Sequence, residues 1–141
     1  MTTPTQMTAP IIPALRYRGA RKAIAWLQDA FGFQTGLVVA GEGDYVEHAE
    51  LFYGSSALML GSERENDFPL STGDSSQPTT MSLYMIVDDP DAHYARAKAA
   101  GAEIVREIED TDYGSREYSA RDTEGHLWSF GSYSPTSPDN A

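Results

Sequence analysis

Residues 122–132 read DTEGHLWSFGS: a polar turn, a short run in which large apolar side chains alternate with smaller ones, and a Gly-Ser pair that ends it. Asp122 and Gly125 supply turn chemistry, and HLWSF supplies a strand. The same plan occurs earlier in the chain. After the turn Gly54-Ser55-Ser56 comes the strand ALML, which closes on Gly61-Ser62, 70 residues before Gly131-Ser132. Two further glycines, Gly32 and Gly101, each follow a helical stretch and lie 69 apart. A fixed offset of this kind marks a duplicated supersecondary unit that buries its apolar face against its copy, and one insertion reconciles the two spacings.

Working outward, IIPALRY reads as a short strand and ARKAIAWLQDAFGF as a helix with Ile24, Leu27, Ala30 and Phe31 on one face, stopped by Gly32. LVVA, the GEGD turn, YVEHAELFY and ALML follow, giving strand, helix and three strands. The order returns as MSLYMIV, DPDAHYARAKAAGA, EIVREI, REYSAR and HLWSF. Asp88 or Asp89 is the expected cap of the second helix, Pro90 suits its first turn, and Ala92, Ala95 and Ala99 give it a thin face for close packing. Met81, Leu83, Met85 and Val87 are the strand positions expected to receive that helix. Ser82, Tyr84 and Ile86 then point the other way.

The fold class expected is α+β, built from two βαβββ modules of mixed sheet. One domain over 11–133 is expected, with modules at 11–62 and 81–133 joined by the turn-rich linker ERENDFPLSTGDSSQPTT at 63–80. Residues 1–10 and 134–141, rich in Thr, Ser and Pro, read as disordered tails. At 141 residues the chain suits a single domain. With no cysteine, it has neither disulfides nor a thiolate nucleophile or metal ligand. A net charge of -11, from 10 Lys+Arg and 21 Asp+Glu, opposes nucleic-acid binding. No signal peptide or membrane span is read, so a cytoplasmic protein free of membrane partners is expected. Phosphate-loop, Rossmann and GxSxG patterns do not occur.

The first helix AIAWLQDAFGFQTG, the start VDDPDAHYARAKAAGAEIV and the ending GSREYSARDTEGHLWSFGSY together resemble the vicinal oxygen chelate superfamily, and within it the glyoxalase and bleomycin-resistance group. The resemblance covers nearly all of 11–133 and is sharpest in the D-x-x-G-h-x-x-x-F pattern of Asp122 to Phe130. It implies that the two modules curl their sheets around a shared small-molecule cleft, and that two chains form a homodimer whose modules sometimes share each cup. Metal-dependent members carry a His or Glu on the first and fourth strands of each module. Those positions fall here on Pro13, Met59, Ser82 and Ser129, none a good divalent-metal ligand. The resemblance therefore implies a member with no metal and no cofactor.

The residues expected to line the cleft are Leu15, Tyr17, Met59, Ser82, Tyr84, Ile86 and Ser129, with Arg116 and Tyr118 from REYSAR near it. The alternative is that they fill a collapsed core. Arg16 is expected to pair with a surface carboxylate, and Trp26, Phe33 and Trp128 to be core. His48 and Glu50 point the same way from one strand and make a two-ligand start for a metal, though on a strand that does not supply ligands in this family. His93 is expected in solvent, and His126 at the rim. The acids Glu107, Glu109, Asp110 and Asp112 read as a solvated charge run.

Three functions stay open at this point. The leading one is a protein that binds and sequesters a cationic or aromatic antibiotic-like compound. An enzyme of the same superfamily, a lyase, isomerase or dioxygenase with an unusual metal site or none, is the alternative, and no catalytic residue is assigned. The third is a regulatory module with a vestigial cleft.

Overall fold

A computed structural model describes residues 9–138. The outer parts of both expected tails, 1–8 and 139–141, lie outside the described residues. The first half runs β1 (Ala14–Tyr17), α1 (Ala20–Phe31), β2 (Gln34–Ala40), β3 (Val46–Tyr53) and β4 (Ser56–Ser62). The second runs β5 (Leu83–Ile86), α2 (Pro90–Ala99), β6 (Glu103–Asp110), β7 (Arg116–Arg121) and β8 (Leu127–Gly131). They build two four-stranded sheets, ordered β1-β4-β3-β2 and β5-β8-β7-β6. In each sheet the first strand runs parallel to the last and the other pairs are antiparallel.

Helix α1 forms because Ala20, Ala23, Ile24, Leu27, Ala30 and Phe31 recur at helical spacing and are all buried. It stops at Gly32, whose φ of 86° is open to glycine and costly for other residues. Helix α2 lacks such a stripe. Asp89 caps it by accepting the Ala92 N–H at 3.1 Å, and its buried residues are Pro90, His93 and Ala97. Ala92, Ala95 and Ala99 are exposed, contrary to expectation, and His93 is buried rather than solvated. The reason is that both ring nitrogens of His93 are satisfied. A carbonyl only accepts, so Nε2–H donates to the Phe31 carbonyl at 2.9 Å, leaving Nδ1 to accept from the Tyr118 hydroxyl at 2.6 Å.

The halves share one core. Phe31 of α1 packs on Trp128 and Phe130 of β8. Trp26 Nε1–H donates to the Ala100 carbonyl at 2.8 Å. The Tyr17 hydroxyl donates to Asp122 at 2.5 Å, and the Arg18 and Gly19 amides both donate to the Glu124 carboxylate at 2.6 Å. The linker is docked as well. Thr72 bridges to Arg16, and Gly73 lies so close to the 122–126 turn that a Cβ there would sit 2.4 Å from the Glu124 carbonyl oxygen.

The register refines the repeat. Ala14 pairs with Met59 and Tyr84 with Ser129, so first and last strands are both offset by 70, and the 69-residue spacing belongs only to the helix ends. Leu15 and Tyr17 therefore correspond to Met85 and Val87, not to Tyr84 and Ile86. A one-residue slip turns every side chain to the other face.

Candidate functional site

Each sheet packs one face against the helices and leaves the other open. On β1 the buried Leu15 and Tyr17 alternate with exposed Ala14 and half-buried Arg16. The ladder places Met59 beside Ala14 and Glu50, and Gly61 beside Arg16. On the second sheet Tyr84 and Ile86 are exposed, with Ser129 and Gly131 beside them and Ser119 and Glu117 one strand further. The paired glycines that mark the repeat have a matched purpose. A Cβ on Gly61 would meet the Arg64 guanidinium at 2.7 Å, and one on Gly131 would meet Glu117 Cγ at 2.5 Å and the Tyr84 hydroxyl at 2.8 Å. In both halves glycine lets a charged side chain cross the strand.

The first open face holds a hollow of about 160 Å³ lined by Arg16, His48, Met59, Arg64, Phe68 and Leu70 among others. The Arg16 guanidinium lies 5.9 Å over the Phe68 ring. Its Nε is buried and has no hydrogen-bond partner among the described residues. Arg64 donates to the Glu47 carbonyl at 2.8 Å and the Ser62 carbonyl at 3.3 Å. Burial, then the Arg64 charge, lowers the Arg16 pKa, while Tyr45 acts weakly in the other direction. At the rim His48 Nε2 and Glu50 Oε2 are 2.9 Å apart. A second hollow, of about 200 Å³, lies on the helix side between Tyr53 and the start of α2.

On the second open face Glu117 is almost fully covered. Burial works to raise its pKa, but donors from Tyr113 at 2.8 Å and Arg106 at 3.1 Å, together with Ser115, outweigh it and hold the carboxyl below its ordinary value. Ser119 and Ser129 share a hydroxyl hydrogen bond of 2.7 Å. Tyr84 donates to the Tyr133 carbonyl at 2.8 Å, and burial raises its pKa. This face is thus aromatic and neutralised rather than acidic.

The expected lining residues separate. Tyr84, Ile86 and Ser129 come together on the second open face, Met59 lies on the first, and Ser82 is exposed just before β5. Leu15, Tyr17 and Tyr118 are on the helix-facing side, at 5%, 0% and 0% exposure; Tyr17 and Tyr118 are inside the core, while Leu15, also a core residue, still borders the first hollow. For Leu15 and Tyr17 the cause is the 70-residue offset. For Tyr118 it is the bond to His93, and burial raises its pKa. Arg116 bonds Asp91 at 2.9 and 3.0 Å and Asp110 at 3.1 Å, and these carboxylates raise its pKa. Arg16 makes no such carboxylate pair among the described residues. Arg64 and Phe68 escaped the sequence reading because they sit in a stretch without period, and Arg16 because the 69-residue offset turned it to the wrong face.

Two βαβββ modules joined through one core, each with an open sheet face, define a paired-module α+β protein. The family model described as the Glyoxalase/Bleomycin resistance protein/Dioxygenase superfamily matches residues 11–130, and the chain belongs to that superfamily. It is 32% identical over 126 residues to the uncharacterised protein Mb0911c of Mycobacterium bovis, covering 84% of this chain and 80% of that one. Among solved structures, TioX from Micromonospora sp. ML1 is 34% identical with a TM-score of 0.70, over 86% of this chain and 95% of that chain. An E144Q glyoxalase I from Zea mays shares the fold at 17% identity and a TM-score of 0.69, over 88% of this chain and 45% of the maize chain.

Metal-dependent relatives raise the question of whether this chain fits a metal. Of the positions that the resemblance assigns to a metal, the ladder sets Ala14 rather than Pro13 beside Met59 and Tyr84 rather than Ser82 beside Ser129, and none of these six residues is a His, Asp or Glu suited to a divalent ion. Among the described residues no group of three or more His, Asp or Glu is placed to hold one. No helix among them is long and apolar enough to cross a membrane.

Proposed function

We propose that the chain is a small-molecule-binding protein that sequesters an aromatic compound against its open sheet faces without a metal. The observation that carries this is the make-up of those faces. Where the metal-dependent pattern needs His or Glu, Met59 and Ser129 project beside Ala14 and Tyr84, with the Phe68 ring bordering the first face and the Ser119 and Ser129 hydroxyls on the second. Such a lining holds flat apolar ligands, with Tyr and Ser hydroxyls to orient them. A cationic ligand is less well served at the first face, where Arg16 and Arg64 both line the hollow, with Glu47 the one acid among its lining residues.

The proposed working form is a homodimer. The two open faces belong to separate sheets, and Leu37, Val39, Tyr84 and Ile86 are exposed on them or along their strands. A second copy that sets its second sheet over the first sheet of its neighbour would cover these side chains and close each cup. The cytoplasmic setting expected from sequence, without nucleic-acid or membrane partners, is carried into the proposal.

A second reading has one observation in its favour. His48 and Glu50 face the open side of the first sheet within 2.9 Å of each other, two donors from which a lyase, isomerase or dioxygenase site could be started. Calorimetric titration of chelator-dialysed protein with neutral, anionic and cationic aromatic compounds, bleomycin included, separates the readings. Saturable heat with an aromatic member, unchanged by chelator, is the expected result. No heat with any compound, together with stoichiometric Zn, Ni, Mn or Fe surviving dialysis, would favour the enzyme.

A further inference from the structure

We infer that the hollow on the first sheet is an oxyanion site, in which Arg16 and Arg64 hold the carboxylate or phosphate end of a ligand whose apolar body lies on Phe68 and Met59. The inference deepens the small-molecule reading and rests on it.

Acids outnumber bases 21 to 10 in this chain, yet only three of its eight arginines make an ion pair among the described residues. Arg18 pairs with Glu63, Arg106 with Glu109 and Glu117, and Arg116 with Asp91 and Asp110. Arg96 and Arg121, like Arg64, donate to backbone carbonyls, and Arg21 does not line the hollow. Arg16 and Arg64 instead line the same hollow, and neither makes an ion pair among the described residues.

Geometry adds a second, independent point. Arg16 Nε is a buried, charged donor with no acceptor, and leaving such a bond unmade is costly. A bound oxyanion would supply the acceptor and offset the repulsion between the two cations. Arg64 is preset for this, since its bonds to the Ser62 and Glu47 carbonyls fix the head group without neutralising it. The missing side chain of Gly61 leaves that head group the space it occupies. Two acids are near. Glu50 is engaged by His48, and Glu47 is exposed and meets Arg64 through its carbonyl oxygen.

Phe68 beneath the Arg16 guanidinium, with Met59 and Leu70, gives the hollow an apolar wall. The ligand class is therefore an apolar or aromatic molecule with one terminal oxyanion.

The test follows the arginine Nε–H resonances of the whole chain while 2-naphthoate, its neutral amide 2-naphthamide, and cationic 2-naphthylmethylamine are added in turn. The expected result is that 2-naphthoate shifts the Arg16 Nε–H signal and binds at least tenfold more tightly than the amide or the amine. R16M and R64M should each weaken 2-naphthoate about tenfold and leave 2-naphthamide within twofold, with R16K intermediate. Because Arg64 also braces the strand, thermal unfolding of R64M is checked alongside, and R16M decides if that variant is unstable. Competition by acetate or by inorganic phosphate then tells a carboxylate ligand from a phosphate one. Equal binding of amide and acid, or an R16M that binds 2-naphthoate normally, overturns the oxyanion site and leaves small-molecule binding standing. No binding of any of the three overturns both.

Discussion

Tyr17 shows how much of this fold hangs on single side chains. It is wholly buried, and its hydroxyl is one of four donors to the Asp122 carboxylate, with Trp128 Nε1–H and the Glu124 and His126 amides. Tyr17→Phe removes a bond to a charged acceptor, so urea denaturation should show a loss of about 1.5–3 kcal/mol. A loss near zero would mean that the remaining donors suffice. His93 gives a pH prediction. Burial, the largest cause, holds its folded pKa below the ordinary 6.5. The unfolded chain therefore takes up this proton first as pH falls, so the stabilisation is complete above 6.5 and is lost as pH drops toward the folded value. The urea midpoint should decline below pH 6.5 in the native protein and more shallowly in His93→Gln, itself less stable at neutral pH. Neither role was legible in the sequence. One residue of offset decides which face Tyr17 takes, and a histidine can be buried only if partners 25 and 62 residues away are in place.

Elements were more readable, because they rest on local rules. The stripe in α1, the glycine stops at Gly32 and Gly101, and the turns before β4 and β8 located both helices and all eight strands to within a few residues. The linker was readable only as polar and turn-rich, since docking leaves no periodic trace. In the fold it is a strap across the 122–126 turn, where Gly73 and Gly125 allow backbone to approach backbone, and Arg121 ties the Gly125 and Gln77 carbonyls together. Gly73→Ala would place a methyl 2.4 Å from the Glu124 oxygen. The expected outcome is faster proteolytic cleavage within 63–80 and a destabilisation of about 1–3 kcal/mol, read by limited digestion and urea denaturation. Unchanged cleavage would show that the strap is not held there. The same strap carries both Arg64 and Phe68 to the first open face, so its loosening should also weaken any ligand held by that hollow.

At the scale of the whole molecule, duplication explains both the shared core and the paired open faces. Helix α1 and the buried strand faces complete one another, while the outward faces of the two sheets stay open, in the proposed function to a ligand and to a second copy. Sequence made the superfamily plain through the Asp122 to Phe130 pattern and the repeat, but it could not show which charges would gather in the cleft, because Arg16 and Arg64 are brought together only by the pairing of β1 with β4. The central claim is that these faces bind an aromatic molecule without a metal. A backbone amide shift map of chelator-treated protein titrated with 2-naphthoate tests it most directly. Perturbations gathered on Ala14, Met59, Gly61, Tyr84 and Ser129 are predicted. A spectrum that stays unchanged until a divalent metal is added, or shifts confined to the helix side around Asp88 to His93, would contradict it.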